Sequence, residues 1–535
     1  MTTEQLKAKI KELLPDCEEL RLFEQNRKRD ADNPYIPSYH FCSPGGYLND
    51  PNGYCYYKGV YHLFYQFDPE HDRSCSWGHA ASVDLIHWVD LPRAIVPTIE
   101  DWCGSGNIMF EEDRAIACYP GNLKGKKGND IHLAQCTDDL LIHWTRLSEV
   151  PIITTLDENG NRKPYIAYDP FLWKEDDTYY LISGGGGALP YFNWRLDFKQ
   201  EITQRREFLF TSKDLKNWEY HHSIVEDDIF CEVGDDGGCP YFLPFGEDKH
   251  ILLHYSHRSG GKYVIGEYDK AAMKFHAQNG GAFNAHGWFC GVHAPSAFAE
   301  ENGDVHCIFN VNYGMRKGPA NQICSLPRRF KLGERNTLLQ SPEGDYQSLR
   351  YNHVSETEKI IPANTEVVLD TISGQALEIN LTADVVEKRG ESGFNPANLF
   401  PMFEVRVLRS TDAREYTSIR FYRNRSVVDW YAPSDSFWPG RAQSVIEVDT
   451  AHSTLHPDIA IHPTESQRFT LHYDNPIQLQ IFVDKGIVEV FANGEQCVTV
   501  RSYPTLEDSV GVSLYSAGVD AKVSYDAWKM KGIYD

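Results

Sequence analysis

Between residues 40 and 530 the chain is a succession of short apolar and aromatic runs, with no long helical repeat among them. YHLFYQF (61–67), TYYLISG (178–184), KHILLHYSH (249–257) and VHCIFNVN (305–312) are examples. Each is rich in β-branched or aromatic residues and is bounded by Gly, Asp, Pro or Asn, which is how strands and their turns read. That pattern excludes βαβ architectures and predicts an all-β fold. An internal echo narrows it. SVDLIHW (82–88), TDDLLIHW (137–144) and SKDLKNW (212–218) share a polar–Asp–Leu core closing on Trp, each shortly after strand-like sequence. Recurrence at intervals of roughly 55–75 residues suggests four-stranded units repeated as propeller blades, about five of them between 35 and 345. From 346 to 535 the runs alternate apolar and polar residues, as in QALEINLTADVV and EYTSIRFYRN, which predicts a β-sandwich. Residues 1–34 form a helical extension, with Leu6, Ile10, Leu13 and Leu14 on or near one face, expected to pack on the propeller.

The formal charge of -24 argues against nucleic acid or an anionic membrane surface as a partner. No run approaches 18 consecutive apolar residues, so no spanning helix is expected. Aromatics reach 13%, a content that suits sugar stacking and β cores alike. The 13 cysteines form no regular framework and the first residues carry no apolar signal core. A reduced, cytoplasmic protein is the expectation.

Three acidic sites stand out. Asp50 lies in YLNDPNG, dense in turn-forming residues and flanked by Tyr47, Tyr54, Tyr56 and Tyr57. Asp169 lies in PYIAYDPFLW, directly before a strand, and Glu232, Asp235 and Asp236 crowd FCEVGDDGGCPYF (230–242). An Asp beside Pro or Gly is ordinarily a turn cap. The alternative is a set of carboxylates presented at strand mouths that meet at one end of a propeller channel. Such carboxylates suit glycosidic cleavage, in which one attacks the anomeric carbon and another acid protonates the departing oxygen.

At these residues the chain resembles glycoside hydrolase family 32, the invertases, inulinases and levanases. YLNDPNG, FYQ (64–66), WGHAASVDLIHW (77–88) and CGSGN (103–107) carry the resemblance at the amino-terminal side, and IFVDKGIVEVFANGEQCVTVRSYP (481–504) carries it in the sandwich. The resemblance implies a five-bladed propeller plus sandwich, retaining hydrolysis of β-fructofuranosides of the sucrose or fructan type, and neither cofactor nor metal. Carried over residue by residue, it implies Asp50 as nucleophile and Asp169 as transition-state stabiliser. Asn49 and Gln66 would bind fructosyl hydroxyls, with Trp77 and Ser105 lining the same pocket. Two departures matter. The Arg of the family's Arg-Asp-Pro is Tyr168, a pocket position. The acid/base of the family's Glu-Cys-Pro-Asp falls in Gly238-Cys239-Pro240-Tyr241, where no carboxylate stands. Glu232 is then the expected acid, with Asp235 and Asp236 as rivals near the substrate. Fructosyl transfer, or fructoside binding without turnover, are the alternative outcomes of these departures.

Other features read as structural or peripheral. GGGG (184–187) lacks a following Gly-Lys-Ser/Thr and reads as a loop at the propeller mouth. His286, His293 and the pair His221-His222 lack metal spacing, although His293 has a route to the pocket. Trp102, beside the CGSGN turn, is placed for sugar stacking or core packing alike.

Overall fold

The computed structural model describes the chain apart from residues 70–73, 127, 186–206, 233, 286–290, 312–321, 386–401, 424–443, 460–461, 470, 472–474 and 535. Five sheets, antiparallel apart from the parallel pairing of Val225–Glu226 with Lys274–Ala282 in the fourth, follow one another to Pro342, and two six-stranded sheets follow from Arg350. Each of the first five is a blade whose innermost strand is the first in sequence, except in the fourth, where Val225–Glu226 precedes it and joins the outer edge. These inner strands are Tyr47–Tyr57, Asn107–Phe110, Pro170–Glu175, Gly238–Phe245 and Val292–Ala299. They touch in order, and the fifth returns to the first, so the ring is closed. Closure removes the edge-to-edge pairing hazard that an open sheet would carry. The chain ahead of the first blade reinforces it, since the Cys324 N–H donates to the Phe41 carbonyl at 2.9 Å.

The sequence echo is the turn between the third and outermost strands of the first three blades. Asp84 accepts from the backbone N–H of Ile86 and His87 at 3.1 and 2.8 Å. Asp214 does the same for Lys216 and Asn217 at 2.9 and 2.8 Å. In the second blade one more residue fits in, and Asp138 holds Leu140 and Ile142. The leucine three before each Trp takes positive φ (Leu85 +68°, Leu141 +54°, Leu215 +62°). That strained backbone is held by the carboxylate on one side and, in two blades, by the Trp indole N–H donating to the same leucine's carbonyl on the other.

The stretch YLNDPNG is not a tight turn. It lies within the inner strand Tyr47–Tyr57, whose pairing slips at Leu48/Pro51 and again at Asn52/Cys55. An inner strand pairs on one side only, so Pro51 removes no ladder hydrogen bond, and the bulges turn side chains toward the channel. Pro240 and Pro295 occupy bulges of their own inner strands in the same way. The flanking tyrosines divide: Tyr54 is buried edge-on to Phe298, Tyr57 is half-buried and stacks on Phe110, and Tyr56 is exposed.

The sandwich encloses its own aliphatic core, which includes Ile379, Val405, Ile481, Val490 and Val523. Alternation sends Phe482, Phe491 and Cys497 the other way, against Ile308, Cys324 and Leu326 of the propeller. Helices Thr3–Leu13 and Glu18–Asp30 precede the ring. Leu6 and Ile10 bury against Val60, Ala81, Leu91 and Leu140 of the propeller, while Leu13 is exposed.

Candidate active site

The channel is plugged by Tyr241. Its hydroxyl donates to the Gly106 carbonyl (2.8 Å), accepts from the Gly53 N–H (3.1 Å) and pairs with Ser296 Oγ (2.6 Å), tying four blades together. Above this plug the inner strands deliver Asp50, Asp169 and Cys239. Asp50 sits in the first bulge of blade one, and Asp169 immediately precedes the inner strand of blade three. Asp169 and Cys239 have positive φ, +34° and +47°, a conformation that non-glycine residues adopt at a cost.

One sulfur joins the two carboxylates. Cys239 Sγ lies 3.6 Å from Asp50 Oδ2 and 3.4 Å from Asp169 Oδ2, and the Cys239 N–H donates to Asp169 Oδ2 at 3.0 Å. Both carboxylates are buried. Their environments pull them apart. Burial works against the charge of Asp50, yet His293, 3.5 Å from Oδ1, and the Ser105 hydroxyl hold its carboxyl below the ordinary range. Burial and then the Asp50 charge push Asp169 up to about 7. A pair split in this way is the electrostatic signature of functional carboxylates.

Asp50 is also the terminus of a directed hydrogen-bond relay. Ser105 Oγ donates to Asp50 Oδ2 at 2.7 Å, and Gln66 Nε2 donates to Ser105 at 2.6 Å. Asn49 Nδ2 donates to Gln66 Oε1 at 2.8 Å, and Gln322 Nε2 donates to Asn49 Oδ1 at 2.7 Å. Asn310 Nδ2 donates to Gln322 Oε1 at 2.5 Å and reaches Asp50 Oδ1 at 3.4 Å, closing the circuit. Every donor leads toward the carboxylate, which polarises the chain in favour of its ionised form. Asn49, Gln66 and Ser105, singled out by their motifs, meet in this circuit. Asn310 and Gln322 were not singled out, because blade five meets blade one only when the ring closes.

The remaining expected residues are placed as follows. Trp77 is fully buried and donates its indole N–H to the Gly104 carbonyl at 2.7 Å, so it supports the Ser105 turn from beneath. Trp102 covers the same turn: a Cβ on Gly104 would fall 2.1 Å from its ring. Tyr168, where the family's Arg would stand, adjoins Asp169, whose charge pushes its phenol up. His293 packs on Tyr255 with ring centroids 3.8 Å apart and faces Asp50. His221 bonds Thr211 and His222 bonds the Ser223 carbonyl, both on the outermost strand of blade three. His286 and Gly186–Gly187 lie outside the described residues. Among the described residues no group of three metal-ligating side chains gathers.

The three acids of the loop before blade four separate. Glu232 is 62% exposed at its side chain and faces Lys262 Nζ at 3.9 Å, in a cavity lined also by Arg258 and Gln467. That is not where the expected acid should point. The backbone explains it: the Glu232 N–H donates to Asp235, which pins the residue on the outer limb of the loop. Asp235 is fully buried and accepts from Ser256 and Ser259 hydroxyls at 2.8 and 2.5 Å, the role of a loop anchor. Asp236 binds His257, accepting from Nδ1 at 2.6 Å and from the backbone N–H at 2.9 Å. Asp236 and His257 belong to the same electrostatic neighbourhood as Asp50 and Asp169.

Comparison with known proteins agrees with this architecture. The model for the glycosyl hydrolases family 32 N-terminal domain matches residues 40–342, and that for the family 32 C-terminal domain matches 345–529. A fructan 6-exohydrolase of Beta vulgaris is 26% identical, the match covering 94% of this chain and 87% of that protein. Fructan 1-exohydrolase IIa of Cichorium intybus, solved as a variant in complex with 1-kestose, superposes with a TM-score of 0.75 at 22% identity, covering 94% of this chain and 98% of that one. A sucrose-6-phosphate hydrolase of Lactobacillus gasseri superposes with a TM-score of 0.73 at 21% identity, covering 97% and 98%. With both domain models matched end to end over a closed propeller and a sandwich, the chain belongs to the glycosyl hydrolases of family 32.

Proposed function

We propose that the protein is a retaining β-fructofuranosidase that removes terminal fructosyl units from sucrose or fructo-oligosaccharides. The observation that carries this reading is the Asp50–Cys239–Asp169 bridge, two buried carboxylates whose proton affinities are driven apart, one below and one above the ordinary range. Asp50, kept ionised by Ser105 and His293, attacks C2 of the fructosyl unit. Asp169 faces the sugar from the opposite blade and answers the positive charge that grows on the ring. The amides of Asn49 and Gln66 suit sugar hydroxyls, each being donor and acceptor at once. The covalent fructosyl–Asp50 ester is then opened by water, giving net retention. A kestose-bound relative supports an oligosaccharide fructoside as the substrate class. Twelve described cysteines carry free thiols, which suits the reducing cytoplasm.

Fructose release from sucrose, 1-kestose, inulin and levan tests the proposal and ranks the substrates. Liberation of fructose from at least one, lost in Asp50→Asn, is the expected result. A wild-type protein that binds these sugars and releases nothing would overturn it in favour of a binding role.

A further inference from the structure

The family's acid/base position is a glycine here, and the space it leaves has neighbours that can be named. A Cβ built on Gly238 would lie 3.3 Å from Asp169 Oδ2 and 4.0 Å from His257 Cε1. The φ of Gly238 is not in the left-handed region, so its backbone does not demand glycine. What borders the vacated volume, besides the Asp169 carboxylate, is the Tyr255 carbonyl at 3.5 Å and the imidazole of His257.

We propose that His257, oriented by Asp236, is the acid/base of this enzyme, in place of the carboxylate missing at Gly238. The inference rests on the fructosidase reading above. Asp236 accepts from the ring at Nδ1 and from the His257 N–H, a two-point clamp that fixes the imidazole. A carboxylate can only accept, so Nδ1 carries the hydrogen and proton exchange takes place at Nε2. The His257 side chain is 31% exposed, enough to meet a substrate, whereas the Asp236 side chain behind it is 16% exposed. Among the described residues, the charged groups that act most on the ring are Asp236 on its own blade, Asp169 from blade three and Asp50 from blade one, with the Tyr255 ring edge-on at 5.3 Å. Burial disfavours the imidazolium, but these anions outweigh it and raise His257 above its ordinary value. That is the direction a proton donor needs.

In the first step Asp50 forms its bond to C2 as the C2–oxygen bond to the leaving sugar breaks, and Nε2–H gives its proton to that oxygen. In the second, water attacks C2, its proton passes to neutral Nε2, and the Asp50–C2 bond breaks. Asp236 stays ionised throughout and is a positioning residue.

The test compares wild type, His257→Gln and Asp236→Asn on the best sugar substrate and on β-fructofuranosyl fluoride, whose leaving group needs no proton. His257→Gln should lose about 100-fold or more on the sugar. With the fluoride and added azide, a nucleophile that needs no base, it should recover to within about tenfold, releasing fructosyl azide of retained configuration. Asp236→Asn should move the alkaline limb of the pH–rate profile to lower pH, because the partner that raises His257 is gone. Sugar turnover unchanged in His257→Gln would overturn the inference. So would loss on both substrates without azide rescue, or a pH profile unmoved in Asp236→Asn. A wild type inert toward sugars and fluoride alike would instead remove the fructosidase reading itself.

Discussion

Two sets of buried carboxylates in this molecule have opposite surroundings. At the seam between propeller and sandwich, Asp484 accepts from the backbone N–H of Ser38, Tyr39 and His40 at 2.6, 2.8 and 2.9 Å. Glu489 accepts from the Leu326 N–H (2.6 Å), Arg328 (2.9 Å) and Thr499 (2.8 Å). His40 lies between them, Nδ1 2.9 Å from Asp484 and Nε2 3.3 Å from Glu489. Both nitrogens face acceptor-only groups, so the ring is an imidazolium, and its carboxylate partners raise its affinity for the proton despite burial. Against the opposing effect of burial, His40 and Arg328 bring Glu489 down to about 2. At the pocket, the largest influences on Asp50 and Asp169 among the described residues include no arginine or lysine, and Asp169 rises instead. Both sites bury negative charge in a β-protein. Only the seam compensates it fully, which marks the seam as structure and the pocket as chemistry.

The sharpest way to break this contrast is Asp50→Asn. Turnover should fall by at least about a thousand-fold while the fold is retained, as befits a nucleophile replaced by an amide of the same shape. Asp169→Asn comes next, with activity down about 100-fold or more. Its stability should move the other way. The folded-state value of Asp169 is raised to about 7, so ionising it costs the fold stability as pH climbs from the unfolded value toward 7. Above pH 7 the asparagine variant should therefore melt higher than wild type, and a lower melting temperature there would contradict the electrostatic account.

Glu489→Ala should do the reverse. It strands Arg328 without its carboxylate and leaves His40 with Asp484 alone, at a cost of about 3–5 kcal/mol, while turnover per folded molecule stays near wild type. Denaturant unfolding alongside active-site titration checks both halves. The same pair predicts the acid limb of stability. Glu489 has a depressed folded value, so its contribution is present above its unfolded value and is lost as pH falls toward 2. His40 contributes in the opposite sense: its stabilisation is full below its unfolded value and fades as pH rises through the raised folded one. Glu232→Gln should have the smallest effect, activity within about twofold of wild type, because its exposed side chain faces Lys262.

Much of this was legible in the sequence, and the reasons are local. Strand alternation, Gly and Asn punctuation and the Asp–Leu–Trp echo all act within a few residues, so blades and sandwich could be read directly. Asp50 and Asp169 stood out because each precedes a proline at the start of an inner strand. The local conformation at Asp50 was misread, since Asn-Asp-Pro-Asn-Gly also suits a double bulge when one edge of the strand is unpaired. Glu232 was expected at the pocket and its side chain faces Lys262 instead. Which way a loop of small residues turns decides that, and the Ser256 and Ser259 hydroxyls that anchor Asp235 act on it from more than twenty residues away. Asn310, Gln322 and His257 carry no motif of their own. They reach the site through ring closure and through the return of blade four, which one-dimensional reading does not see.

The most direct test is the stereochemistry of methanolysis. Incubated with its best fructoside in dilute methanol, the enzyme should yield methyl β-fructofuranoside from the first turnovers, and Asp50→Asn should yield none. Formation of the methyl α-fructofuranoside would mean that C2 is attacked without a fructosyl–Asp50 ester, and would contradict the mechanism at its centre.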